Sequence, residues 1–125
     1  SSSPPPPPAA AHCRRKFAED AWAWMQNIAK VIRKLQPSIQ MHGLVFLGCF
    51  LDCLDLDILK NQSPAEVAVA CLHIANKAQN CYPHYPLEEL ISACQQDLSQ
   101  LNKSRRPIKM EQVHAVEWAA AAAAG

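Results

Sequence analysis

The sequence predicts an all-α protein of five helices with a buried third helix at its centre. Valine and isoleucine recur at helical spacing without the alternation typical of β-strands, and only three of the 125 residues are glycine. Between Val67 and Ala75, His73 is the only clearly polar residue. Because a helix that is apolar nearly all round must be covered by its neighbours, this segment predicts a central helix that the other four surround.

The first helix is predicted over residues 17–35, because apolar positions recur there every three or four residues. These positions are Trp24, Ile28, Val31 and Leu35, with Met25 and Ile32 beside them. We assign Trp24 a structural role in this core. Pro37 is expected to end the helix, since the residue before a proline avoids helical backbone angles.

The second helix is predicted over residues 39–54, with Ser38 as its N-cap. Its inner turns are almost entirely apolar, and Asp52 lies near its predicted end. Gly43 and Gly48 each cost a helix about 1 kcal/mol relative to alanine. Their presence therefore indicates close contact with neighbouring helices.

The third helix begins with a strong start signal. Ser63 is the predicted N-cap and has a structural role there, Pro64 takes the first helical position, and Glu66 completes a capping box. Small residues within the helix allow neighbours to approach closely. Two prolines after residue 82 prevent the helix from continuing.

Two further helices are predicted towards the end of the chain. The fourth covers residues 87–98, and its apolar residues share one face. A basic loop over residues 102–107 separates it from the fifth, which begins at about Ile108 and reaches at least Trp118. The apolar residues of the fifth helix form a less regular stripe.

Both ends of the chain are predicted to lie outside the folded domain. Residues 1–15 form a disordered leader with five consecutive prolines, a run that favours extended polyproline II. Residues 119–125 are six alanines and a glycine, a tail from which we draw no function. The predicted domain therefore spans residues 16–118.

Composition excludes several classes of partner. A net charge of +1 disfavours nucleic acid, whose binding needs clustered positive charge. No apolar run approaches the about 20 residues of a membrane-spanning helix, and no signal peptide is recognisable. The six cysteines then indicate reduced thiols of a nuclear or cytoplasmic protein. Their spacing is not that of a structural zinc site, so no metal is expected.

The sequence offers no set of residues suited to catalysis. An enzyme needs a nucleophile beside a base, paired acids or a metal cluster, and no Gly-rich phosphate loop or hydrolase motif is present. His73 lies among apolar residues and is interpreted as a hydrogen-bonded core histidine. The expectation is a protein-binding module that is not an enzyme and uses no cofactor.

Residues 72–83 close the third helix and read Leu-His-Ile-Ala-Asn-Lys-Ala-Gln-Asn-Cys-Tyr-Pro. Met110-Glu111 begins the fifth helix, and Asp52-Cys53 lies near the end of the second. These segments resemble the N-terminal cyclin box of the cyclin family. There the third helix closes with a pattern like Leu-x-Ile/Leu-Ala-Ser-Lys-x-Glu-Glu-x-Tyr-Pro-Pro, the fifth helix carries Met-Glu, and the second ends around Asp-Arg-Phe-Leu.

The resemblance implies a five-helix cyclin-box domain that binds and activates a cyclin-dependent-type protein kinase by positioning its regulatory helix. In cyclins, the lysine ending the third helix and the glutamate of the fifth reach that regulatory helix and nearby backbone, which assigns partner binding to Lys77 and Glu111. Asp52 matches an aspartate that pairs with an arginine of the first helix, a structural role. Roles in the cell cycle and in transcription regulation both stay open, and the long link between the last two helices is similar to that of transcription-type cyclins.

The chain also departs from the family pattern. Gln79 and Asn80 stand where the family has glutamates, Cys53 where it has arginine, and Glu66 where a contact position is apolar. The first-helix arginine falls on Ala18. These differences favour a second hypothesis, in which the chain is a cyclin-fold scaffold or adaptor within a larger assembly and activates no kinase.

Overall fold

All regular structure in the described part of the chain is α-helical, which confirms the predicted class. The computed structural model describes residues 8–33, 35–53, 59–79, 85–96 and 108–124. Its helices are α1 (Pro8–Val31), α2 (Pro37–Asp52), α3 (Pro64–Gln79), α4 (Leu87–Gln95) and α5 (Met110–Ala124). The predicted basic loop lies outside the described residues. The second and fourth helices were predicted to end at residues 54 and 98, but they end at Asp52 and Gln95, with Cys53 and Gln96 as C-caps.

The first helix begins at Pro8, well before the predicted residue 17, so residues 8–15 of the predicted leader are helical. Proline is favoured at the first position of a helix, and the three alanines that follow it are the strongest helix formers. Local propensity therefore favours a helix start at this point. Residues 1–7 of the predicted leader lie outside the described residues.

The core face of α1 is rotated by one residue from the predicted stripe. The buried apolar residues of this segment are Phe17, Ala21, Met25, Ile28, Ile32 and Leu35, and the polar Asn27 is buried as well. Trp24 and Val31 are only half-buried and pack against the edge of the core. An unbranched methionine fits the crowded centre, whereas the larger tryptophan ring is rarely buried completely. Trp24 thus supports the core from its rim.

The start of α2 differs from the prediction in a way that proline geometry explains. Pro37 is the first residue of α2, and the N-cap is Gln36, with extended backbone angles of φ −69° and ψ 143°. Ser38, the predicted cap, lies within the first turn. The fixed φ of proline suits the first helical position, and its missing N–H would have no partner there.

Helix α3 is the central helix, as predicted. Residues 67–72 and Ala75 are completely buried, and Asn76 is almost so. The helix packs against α1, α2, α4 and α5. Pro64 occupies the predicted first position, and the carbonyl of Ser63 accepts the N–H of Val67 at 3.1 Å, as an N-cap carbonyl does.

The two glycines of α2 have different surroundings. A Cβ atom at the buried Gly43 would lie 3.3 Å from Leu72 Cδ2 and 3.7 Å from the Cys71 carbonyl oxygen. This glycine therefore lies where α2 and α3 approach closely, as predicted. Gly48 is exposed, and among the described residues a Cβ atom there would meet nothing within 4 Å. Within that part of the chain, the predicted close contact at Gly48 is wrong.

Helices α3 and α5 lie side by side and run in the same direction. Near their N-terminal ends, burial raises the pKa of Glu66 while the nearby charge of Lys109 opposes that rise. Near their C-terminal ends, Lys77 and Ala121 line the same groove. The order of these contacts along both helices requires a parallel arrangement.

The alanine tail belongs to α5, which continues through Ala124. Ala120 is completely buried against the core. The fifth helix thus extends beyond the predicted domain end at Trp118, because alanine has the highest helix propensity and its small side chain permits close packing.

The segment entering α4 is attached to α3 by one buried hydrogen bond. The backbone N–H of Tyr85 donates to Asn76 Oδ1 at 2.9 Å. Both residues are buried, so neither group can exchange this bond for one to water. The bond holds the start of the segment that leads into α4 against α3.

The same substitution at the two glycines of α2 is expected to have opposite effects. Gly43→Leu should lower the free energy of unfolding by about 2 kcal/mol or more, because the new side chain would overpack the contact with Leu72. Gly48→Leu should leave it unchanged or raise it by up to about 1 kcal/mol, because only helix propensity changes. Urea denaturation of both variants measures the difference, and equal effects would show that α2 and α3 do not meet at Gly43.

Removing the Asn76 amide should destabilise the fold. Asn76→Ala is expected to lower the free energy of unfolding by about 1–3 kcal/mol, since the buried N–H of Tyr85 then loses its acceptor. Amide hydrogen exchange at Tyr85 should accelerate in the same variant. Gln112→Ala, on the exposed face of α5, serves as the control; a loss in Asn76→Ala no larger than in this control would contradict the structural role of the bond.

Candidate protein-binding site

An open groove of about 520 Å³ lies between the C-terminal halves of α3 and α5. Its lining combines apolar side chains with three ionisable ones. The lining residues are Ile74, Lys77, Ala78, His114, Glu117, Trp118 and Ala121. The indole of Trp118 is 80% exposed, which is unusual for so large an apolar group and makes it available for contact with a partner.

The predicted contact residue Lys77 lies at this groove. It occupies the last turn of α3 and is exposed, although residues on the preceding turns are buried. A positive charge in the last turn also suits the negative end of the helix dipole. The buried body of α3 therefore holds an exposed cation at a fixed place beside an apolar groove.

Beside the groove lies a buried hydrogen-bonded pair of side chains that sequence reasoning missed. His73 Nδ1 donates a hydrogen bond to Glu117 Oε1 at 2.5 Å, and the two side chains are only 9% and 12% exposed. His114 Nδ1 lies 3.6 Å from Glu117 Oε2. The prediction that His73 is a hydrogen-bonded core histidine is confirmed. The available signal for Glu117 was its place among apolar residues of α5, three residues after a histidine.

Several positive groups keep Glu117 ionised. Burial disfavours the charged form, but the hydrogen bond from His73 and the charges of His73, Lys77 and His114 outweigh burial and lower the pKa of Glu117 below its ordinary value of 4.5. The negative charge of Glu117 therefore offsets much of the positive potential around Lys77 and His114.

The second predicted contact residue, Glu111, lies elsewhere on α5. It is exposed in the first turn of that helix. Glu111 precedes Glu117 by six positions, about 9 Å along a helix axis at about 1.5 Å per residue. The carboxylate that faces Lys77 is Glu117, and within the described residues no ion pair joins Lys77 to Glu111.

Asp52, predicted to have a structural role, is the last residue of α2 and is exposed. Ala18, its position-matched partner in α1, is half-buried against the core, and Lys16 nearby in sequence is exposed. Among the described residues no ion pair anchors Asp52.

Gln79, one of the departures from the cyclin pattern, is used within the chain. Its Nε2 donates to His42 Nδ1 and, at 3.5 Å, to the carbonyl oxygen of Ser38. These contacts join the end of α3 to the start of α2. An amide suits this position because it can donate hydrogen bonds, which a glutamate carboxylate cannot.

Two cysteines of the described residues lie in the core. Cys71 and Cys94 are buried, and burial raises the pKa of each to about 12, which favours the unreactive thiol form. Cys49 is half-buried on α2, and Cys53, the C-cap residue that follows this helix, is exposed. The described part of the chain contains no group of three or more side chains placed to hold a metal ion.

No protein-family model, curated protein or solved structure matches this chain. The cyclin resemblance rests on the residues quoted from the sequence. None of the helices in the described ranges is long and apolar enough to cross a membrane.

The contacts of Glu117 with His73 and His114 should make the stability of the fold depend on pH. Because the pKa of Glu117 is lowered in the folded state, its contribution is fully present above about pH 4.5 and is lost as the pH falls through the lower folded value. We expect Glu117→Gln to lower the free energy of unfolding by about 1–2 kcal/mol at neutral pH. On acidification, this variant should lose less stability than the wild type does. Chemical denaturation across this range measures both. Glu88→Gln, an exposed position on α4, is the control, and identical pH profiles for wild type and Glu117→Gln would contradict the assignment.

Proposed function

We propose that the chain is a cyclin-like regulatory subunit that binds a cyclin-dependent-type protein kinase and favours its active conformation. The observation that supports this most directly is the position of Lys77, an exposed cation at the end of the buried helix α3. A group held on a rigid, packed element keeps a defined geometry towards a partner. The cyclin resemblance assigns the same lysine to the kinase contact.

The groove beside Lys77 suits a partner helix. Ile74, Ala78 and Trp118 supply an apolar surface, and such grooves bind the apolar face of an amphipathic helix. The Lys77 ammonium can then donate charge-assisted hydrogen bonds to the free carbonyls at the C-terminal end of the docked helix or to a carboxylate on it. In the proposed complex this helix is the regulatory helix of the kinase.

The proposed mechanism is a population shift. The subunit binds the kinase conformation in which the regulatory helix is swung in, and differential affinity for this state raises its population. The chain itself supplies no catalytic group in this scheme. A nuclear or cytoplasmic location accords with the proposal.

Two observations favour a second candidate, a scaffold or adaptor that activates no kinase. Glu111 lies about two helical turns from the carboxylate that faces Lys77, so the two resemblance-based contacts do not form one compact site. Gln79 makes contacts with α2 inside the chain. The groove would then bind a helix of a different protein.

Reversing the charge of Lys77 tests the proposal. Lys77→Glu should weaken binding of the chain to the kinase by about tenfold or more, equivalent to about 1.4 kcal/mol, and should reduce the gain in phosphoryl transfer. Trp118→Ala should weaken binding through lost apolar contact. Lys60→Glu, the same change at an exposed lysine outside the groove, is the control. Titration calorimetry and a kinase assay give the two readouts.

The two candidates give different results in this experiment. If Lys77→Glu and Glu111→Ala both bind the kinase as the wild type does, the proposed contact surface is wrong. Stable copurification with partners that include no kinase, lost in Lys77→Glu, would favour the scaffold.

A further inference from the structure

One face of α2 consists of exposed residues. Ser38, Met41, Val45, Gly48 and Asp52 are spaced three or four residues apart, so they share this face, and all five are exposed. Met41 is 58% and Val45 63% exposed. Large apolar side chains in a row on the outside of a helix mark a surface that binds another protein.

Gly48 gives independent support for an external partner. Glycine within a helix is unfavourable, and at Gly43 the close approach of α3 explains it. Among the described residues, nothing lies within 4 Å of a Cβ atom built at Gly48. The gap at this position is therefore open to a side chain or backbone from another molecule.

We propose that this face binds a second copy of the chain, with the two α2 helices packed antiparallel across a twofold axis at Val45. The face suits such self-pairing because α2 carries no charged residue before Asp52. In an interface between identical patches, any charge near the axis would meet its own copy. Here the residue at the twofold axis is Val45, and its side chain can pack against the Val45 side chain of the other copy.

The order of residues about Val45 is complementary to itself. Val45 is seven positions from both Ser38 and Asp52, so an antiparallel copy sets Asp52 against the first turn of the other α2. That turn contains no acidic residue, and its N-cap makes no side-chain capping bond. A carboxylate is favourable at such a helix N-terminus.

The remaining pair on this face fits by size. Met41 precedes Val45 by four positions and Gly48 follows it by three, so antiparallel packing sets each Met41 within one residue's rise, about 1.5 Å along the axis, of the gap left by Gly48 in the other copy. A flexible methionine side chain fills such irregular gaps well. A large Met41 side chain therefore meets a glycine on both sides of the twofold axis.

The predicted dimer is weak. A helix of 16 residues is about 24 Å long, and one face of it buries well under the about 800 Å² per partner of a standard stable interface. The expected Kd therefore lies between about 1 μM and 1 mM. This surface is separate from the groove between α3 and α5, so the inference does not depend on the proposed function.

Sedimentation equilibrium of the full chain up to about 1 mM tests the inference. The wild type should show a monomer–dimer equilibrium. Val45→Glu, which sets two like charges together at the axis, and Gly48→Leu, which fills the gap, should each weaken dimerisation at least tenfold. Ala115→Glu, at an exposed position of α5, should dimerise as the wild type does.

Thermal unfolding at low concentration separates loss of pairing from loss of folding. Gly48→Leu should keep or raise the Tm, because helix propensity improves while dimerisation is lost. A wild type that stays monomeric up to the highest concentration overturns the inference, and so does a dimer that survives both Val45→Glu and Gly48→Leu. A dimer lost equally in Ala115→Glu would place the interface elsewhere and also overturn it.

Discussion

Burial of α3 is the constraint on which the other helices depend. Its central turns are completely covered, and each of the other four helices contacts it. Because protein interiors are close-packed, each neighbouring helix must fit the surface of α3. Gly43 is one result of this requirement, since α2 can approach Leu72 only where it lacks a side chain. The position of Lys77 is another, because the packed turns before it fix the direction in which the helix leaves the core.

The polar residues of α3 specify which neighbour lies where. His73 pairs with Glu117 of α5, and Asn76 accepts the N–H of Tyr85 just before α4. Each buried polar group left without a partner would cost about 1–3 kcal/mol, so a shift of either neighbour along α3 is strongly disfavoured. The apolar surface thus supplies the driving force for packing, while these two contacts set its register. The same register brings Trp118 and Lys77 to opposite sides of one groove.

Sequence reasoning succeeded where one residue type has a direct physical consequence. The apolar run predicted the buried helix, and Pro64 predicted where that helix begins. It failed where the result depends on neighbours distant in the chain. Trp24 is at the rim because the neighbouring helices cover the face of α1 that carries Met25, and Glu117 acquires its role only when α5 lies beside His73. The partner of Asn76 is a backbone group, which no sequence pattern reveals.

Hydrogen–deuterium exchange with and without a cyclin-dependent-type kinase tests the central claim, that a rigid α3 presents its C-terminal end to a partner. In the free chain, the amides of residues 67–76 should be the most protected, as expected of a fully packed helix. Adding the kinase should give new protection at the last turn of α3 and along residues 114–121 of α5. Rapid exchange over residues 67–76 in the free chain, or protection confined to other helices in the complex, would contradict the account.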